Sequence, residues 1–193
     1  GTSGSGKSTL MKVLAKIADE YEGSITMDGV DLRQISEKSF YENVSFIYQD
    51  VFLFEDTLRN NITLYKNYTE DKILDAIEKA GLDAFVNEHP EGLERKLEEN
   101  GKNLSGGQRQ RISIARAILR NTQILFSDEA TASLNQELGK AVENTLLSLE
   151  QTVLSISHRF YEGVTENYDF VLEMKNGTLI EYPGTVYFKE ALT

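Results

Sequence analysis

The first eight residues carry the clearest chemistry in the chain. Gly1-Thr2-Ser3-Gly4-Ser5-Gly6-Lys7-Ser8 fits the phosphate-binding pattern G-x-x-x-x-G-K-[ST]. The glycines let the backbone curl until consecutive N–H groups face one anion, a path that Cβ atoms would obstruct. Lys7 offers an ammonium to the β- and γ-phosphates, and the Ser8 hydroxyl is suited to Mg²⁺. The run that follows, from Thr9 to Ile17, has apolar residues at 10, 13, 14 and 17, which predicts a helix over 9–18 with its N-terminus aimed at the anion. Gly1, Ser3, Gly4, Ser5, Gly6, Lys7, Ser8 and Thr9 are therefore the candidate phosphate cradle. A flexible Gly/Ser linker ahead of an unrelated helix is the plainer alternative for these residues.

Three further constellations bear on that cradle. Ile124-Leu125-Phe126-Ser127-Asp128-Glu129 is an apolar strand that ends in two carboxylates. Behind a phosphate loop, Asp128 is placed to hold Mg²⁺ directly or through water, and Glu129 is a candidate general base for an attacking water. Without the phosphate loop, two solvated acids in so acidic a chain would be unremarkable. Leu104-Ser105-Gly106-Gly107-Gln108 opens a helical run that continues through Arg109-Gln110-Arg111 to Ile118. Adjacent glycines at a helix start expose N–H donors for a second anion, and Ser105 adds a hydroxyl; a lone S-G-G is usually just a capped turn. Ser157-His158-Arg159 follows the apolar strand Thr152-Val153-Leu154-Ser155-Ile156. A histidine there can reach a γ-phosphate, although a single histidine is more often a structural hydrogen-bonder.

These residues need elements to position them, and the chain alternates helix and strand. Gly23-Ser24-Ile25-Thr26-Met27-Asp28-Gly29 reads as a short strand closed by a turn dipeptide, and Val44-Ser45-Phe46-Ile47-Tyr48 as a second strand. Residues 57–88 read as helix in pieces, with Thr57 and Thr69 as N-caps and Gly81 as a stop. Residues 89–104 are polar and irregular. A helix over 106–120, a strand over 123–127, a helix over 136–149 and a strand over 152–157 follow. Residues 170–174 and 178–182 around Asn176-Gly177 form a hairpin signal. The pattern predicts an α/β fold with a mainly parallel sheet, nucleotide at the carboxyl ends of its strands, and a helical subdomain inserted at about 57–120.

Composition narrows the classes. The 193 residues suit one globular domain, and 40% are apolar, enough for a packed core. With 20 basic and 31 acidic residues the net charge is −11, which argues against a basic nucleic-acid surface or a polybasic membrane anchor. The chain has no cysteine, which excludes disulfides, thiolate metal sites and cysteine nucleophiles, and its two histidines leave little for zinc. No run approaches the length of apolar chain that spans a bilayer, and no signal peptide is read at Gly1. The setting expected from this is reducing and intracellular.

Taken in this order, the phosphate loop, the Ser105–Gln108 helix start, the Asp128-Glu129 strand and His158 resemble the nucleotide-binding domain of an ABC transporter, over essentially all of 1–193. The resemblance implies a P-loop NTPase core that binds ATP and Mg²⁺ and hydrolyses ATP. It implies a head-to-tail dimer with a second nucleotide-binding domain, identical or different, in which Ser105, Gly106, Gly107 and Gln108 contact the partner's nucleotide. It gives Gln49, in Tyr48-Gln49-Asp50, a role at Mg²⁺ or water and in sensing the membrane domain, and makes His158 the switch histidine on the γ-phosphate. Phe54 to Ile62 and Leu97-Glu98-Glu99-Asn100-Gly101 resemble exporter-type members, with Glu98 where glycine is usual. The expected partners are thus the transmembrane domain of an exporter and a second subunit, at the cytoplasmic face of the membrane.

Two departures shape what is expected. The family's usual Ser-Ala-Leu-Asp is Ala132-Ser133-Leu134-Asn135 here, an amide where an interface aspartate is usual. The family's early strands and adenine-stacking aromatic normally precede the phosphate loop, so a chain starting at Gly1 is expected to select adenine weakly and to lack a strand of its sheet. The alternatives are a truncated, non-hydrolysing interaction module and a soluble ABC-type ATPase. Ser8 and Leu104 are too close in the chain for the long coiled coil of the DNA-repair and chromosome-condensation types.

Overall fold

In the computed structural model, which describes residues 5–191, the chain divides into two units, residues 1–44 with 162–193 and residues 45–161. Helix α1 (Lys7–Leu14) begins directly after Gly6, whose φ of +99° lies where glycine is favoured. A Cβ at Gly6 would also lie 3.2 Å from the Met174 sulfur. The helix starts two residues earlier than its apolar spacing predicts and ends sooner, at Ala15. Lys16 then turns to donate to the carbonyls of Leu32 (3.0 Å) and Ile35, and sits 5.9 Å from the centre of the Phe40 ring.

Strands β1 (Thr26–Met27) and β2 (Val30–Asp31) pair antiparallel across Asp28-Gly29, both at positive φ, as a two-residue hairpin requires. The turn dipeptide was legible; the returning strand was too short to be. Beside the turn, the Arg33 guanidinium holds the Asp31 carboxyl down to about 2. Helix α2 (Glu37–Asn43) has no counterpart in the sequence reading. Ser36 caps it by accepting from Ser39 N, and its Phe40 is buried. Tyr41 ties it to α1 by donating to Ala15 O at 3.2 Å.

Apart from Val44, the second unit contains β3 (Val44–Ile47), α3 (Leu58–Thr63), α4 (Glu70–Lys79), α5 (Asp83–Asn87), α6 (Gly106–Arg120), β4 (Ile124–Asp128), α7 (Gln136–Ser148) and β5 (Thr152–Ile156). The strands form one sheet in the order β3-β4-β5. β4 and β5 are parallel and in register from Ile124 opposite Thr152 to Asp128 opposite Ile156. Between β3 and β4 the described chain is helical, with 3₁₀ turns at Gly92–Glu94 and Glu99–Gly101 and one isolated bridge between Thr57 and Lys96. The reading of 89–104 as irregular missed those two turns.

Local chemistry explains the helix ends. Thr57 caps α3 by accepting from Asn60 N at 3.0 Å, whereas Thr69 stands at the start of α4 without a capping bond. Gly81 stops α4 at φ +66°, donating to Glu78 O. α6 runs over the predicted residues, between a Ser105 cap and Asn121 at φ +45°. Its Ile112, Ile114, Ala115 and Ile118 join Ile47, Leu53, Leu58, Leu125, Val142 and Leu146 in a single apolar cluster. Each fully buried Ile or Leu in it contributes about 1.5–3 kcal/mol. Thr122 Oγ1 donates to Ser45 Oγ at 2.8 Å, joining the entry of β4 to β3.

The chain returns to the first unit with β6 (Phe170–Lys175) and β7 (Thr178–Pro183), antiparallel about Asn176-Gly177 as predicted, and ends in helix α8 (Gly184–Ala191). That last helix was not anticipated.

Candidate active site

Parallel register sets the centre of the site. Because Asp128 lies opposite Ile156, the residues that follow the two strands, Glu129 and Ser157-His158, leave the sheet side by side. Gln49 follows the third strand of the same sheet. The side chains meet: Gln49 Nε2 donates to Glu129 Oε2 at 3.2 Å, and His158 Nε2 lies 3.5 Å from Glu129 Oε1. The three residues predicted to carry catalysis thus gather on one carboxylate. Asp128 closes β4, half-buried.

Glu129 holds this place with an unusual backbone. Its φ is +51°, a region costly for a residue with a Cβ. Its N–H donates to Ile156 O at 2.9 Å, and Ala132 N donates to its carbonyl at 3.0 Å. A tight turn therefore begins on the candidate base itself. Beyond it, Asn135 caps α7 by accepting from Leu138 N at 2.8 Å. Asn and Asp cap helices about equally well, so the amide here caps α7 as an aspartate would.

Ser105, Gly106, Gly107 and Gln108 form the first turn of α6. Ser105 Oγ accepts from Gln108 N at 3.2 Å, and Gln108 Oε1 accepts from Ser105 N at 2.8 Å, a complete capping box. The Ser105 O–H keeps its own hydrogen for donation. A Cβ on Gly106 would meet nothing closer than 3.8 Å, and on Gly107 nothing closer than Ser133 O at 3.4 Å. The glycines are thus not demanded by packing within this chain.

Two side chains of α6 brace the chain around Gln49, and the sequence reading did not single them out. Gln110 Nε2 donates to Tyr48 O at 3.2 Å. Arg116 donates to Phe52 O at 2.7 Å and to the carbonyl and side-chain oxygens of Asn61. Burial works against the Arg116 charge and pulls it down to about 10. The signal that could have found Gln110 is a polar residue on an apolar stripe: it is 4% exposed, next to a helix face of isoleucines. Arg159 was likewise quoted only as the neighbour of His158.

At the phosphate loop, Gly1, Ser3 and Gly4 lie outside the described residues. Ser5, Gly6, Lys7, Ser8 and Thr9 lie at the start of α1, where no side chain caps the first turn and no acid stands in it. Ser8 and Thr9 are exposed, and Lys7 Nζ lies 3.4 Å from Ser5 Oγ. A positive side chain on an uncapped helix start suits an anion. Among the described residues no three His, Asp or Glu side chains gather into a metal cage. Mg²⁺ takes hard oxygen donors, and the Ser8 hydroxyl and the Asp128 carboxylate are each of that kind.

Comparisons with known proteins give the family. The family profile described as "ABC transporter" matches residues 1–132. An ATP-dependent lipid A-core flippase of Francisella novicida is 40% identical over 185 residues, which is 94% of this chain and 31% of the flippase. The flippase of the same name from Desulfotalea psychrophila is 41% identical over 184 residues, 94% of this chain and 32% of that protein. The chain therefore spans about a third of the length of these relatives. A solved structure of a bacterial Atm1-family ABC exporter with ATP bound superposes with a TM-score of 0.89 at 29% identity, covering 98% of this chain and 34% of that one. Motifs, fold and relatives converge, and the chain belongs to the ABC transporter family.

Proposed function

We propose that this chain is the nucleotide-binding part of an exporter, binding ATP with Mg²⁺ and hydrolysing it to power transport. The observation that best supports this reading is one carboxylate, Glu129, contacted by both Gln49 and His158 at the ends of adjacent strands. In this reading Glu129 takes a proton from the water that attacks the γ-phosphorus, and ADP leaves with phosphate. Gln49 orients that water, and His158 donates to the γ-phosphate. Lys7 neutralises charge on the β- and γ-phosphates while the N–H groups of Gly1 to Thr9 cradle them. Ser8, Gln49 and Asp128 are the residues that would hold Mg²⁺, which would supply charge neutralisation at the phosphates.

Ser105, Gly106, Gly107 and Gln108 are assigned to the nucleotide of a second nucleotide-binding domain, identical or different, in a head-to-tail dimer. Residues 57–120 are read as the helical subdomain that faces the exporter's transmembrane domain at the cytoplasmic side. The lipid A-core flippases among the relatives are consistent with an amphiphilic cargo. No helix among the described residues is long and apolar enough to cross a membrane.

The test is steady-state phosphate release from ATP by the chain with and without Glu129→Gln. Removing the base should lower turnover by about 10²–10⁴-fold with ATP still bound. Turnover that survives Glu129→Gln, or stable binding to a partner with no turnover in the parent chain, would overturn the reading in favour of an interaction module.

A further inference from the structure

The turn that begins at Glu129 is held at its far end by one side chain. Arg159 Nη2 donates to Ala132 O and Nη1 to Leu134 O, each at 2.6 Å. The backbone of Arg159 is itself fastened: its N–H donates to Ser157 Oγ at 3.0 Å, and Ser157 Oγ lies 3.2 Å from Arg159 O. The residue between them, His158, reaches the Glu129 carboxylate at the other end of the same turn. Three consecutive residues after β5 thus grip the segment 129–134 at both ends.

Resting on the reading of Glu129 as the base, we propose that Arg159 is a positioning residue for hydrolysis. Its guanidinium, spread across the carbonyls of Ala132 and Leu134, fixes the turn and with it the direction in which Glu129 presents its carboxylate. Three physical points carry this. Glu129 is in a backbone region it would leave if released. Charge-assisted bonds to two carbonyls are stronger than neutral ones. Only a planar fork meets two acceptors at once in fixed geometry, which a lysine ammonium does not reproduce. Arg159 also holds Leu134 one residue before the α7 cap, so loosening it frees the turn without unwinding the helix behind it.

The experiment compares the full chain with Arg159→Ala, Arg159→Lys and Glu129→Gln. Each is measured for kcat and KM for ATP, and for amide hydrogen exchange without nucleotide. Arg159→Ala should lower kcat about ten- to a hundredfold with KM unchanged, since small displacements of a reacting group cost that much. Exchange should speed up at Glu129 and Ala132 while the amides of α6 keep their protection, and Arg159→Lys should recover part of both effects. Unchanged kcat in Arg159→Ala, or faster exchange throughout residues 45–161, would overturn the proposal by making Arg159 inert or a general stabiliser. Should Glu129→Gln turn over like the parent, the base assignment fails separately, and exchange still decides the clamp: a change confined to 129–134 supports it and none refutes it.

Discussion

Two helices of this chain start on glycine-bearing loops, and their first turns are completed in opposite ways. α1 begins after Gly6 with no capping side chain and no acid, and Lys7 stands in its first turn. α6 begins after Ser105 with a reciprocal capping box in which Ser105 and Gln108 satisfy each other's backbone N–H groups. A helix start carries four N–H groups without an intrahelical partner. Among the described residues α1 has no side-chain cap on its first turn, while α6 meets part of its need from within. In the proposed reading the same sequence cue, glycine next to a helix, serves the phosphates of the chain's own nucleotide in one case. In the other it serves a capped turn that, in the proposed reading, meets the nucleotide of a second subunit.

The strongest way to break this contrast is Lys7→Ala. Loss of a charge-assisted contact to phosphate should weaken ATP binding roughly ten- to a hundredfold by titration calorimetry. Unchanged affinity would mean that the start of α1 is not an anion site. Replacing Ser105 separates cap from contact. Ser105→Ala should cost about 1 kcal/mol of stability, while Ser105→Asp keeps the cap and the melting temperature. Both should lower hydrolysis, Asp because its charge repels phosphate; a normal rate with Ser105→Asp would leave Ser105 as a cap alone. The smallest structural effect is expected from Gly107→Ala. With Ser133 O at 3.4 Å and Leu134 Cδ2 at 3.5 Å from the added methyl, both ordinary contacts, thermal melting should be unchanged or slightly raised, because alanine favours helix, while hydrolysis falls in the proposed dimer. Equal loss of stability and activity would place the need for glycine in folding.

Much of the frame was legible because its signals are local. The 3.6-residue spacing and the Ser105 cap defined α6, Gly81 stopped α4, and Asn176-Gly177 turned the last hairpin. α2 escaped because it is short and only Phe40 and Tyr41 in it are apolar. Phe40 is buried through tertiary packing, not through an amphipathic stripe that a short window reveals. Among site residues, motif spacing pointed to Glu129 and His158, and the family resemblance to Gln49. Gln110, Arg116 and Arg159 were hidden because each acts by donating to a backbone carbonyl, and a carbonyl leaves no mark on residue type.

The sequence by itself determined which chemistry is available: a phosphate loop, two acids after an apolar strand, a histidine after another, and a glycine-rich helix start, all set by side-chain identity and short-range spacing. Tertiary structure alone decided that Gln49 and His158 converge on Glu129. It alone put Glu129 at positive φ and gave Arg159 two carbonyls to hold. Those facts depend on strand order and register, which join residues dozens of positions apart through a shared core, and no local pattern encodes them.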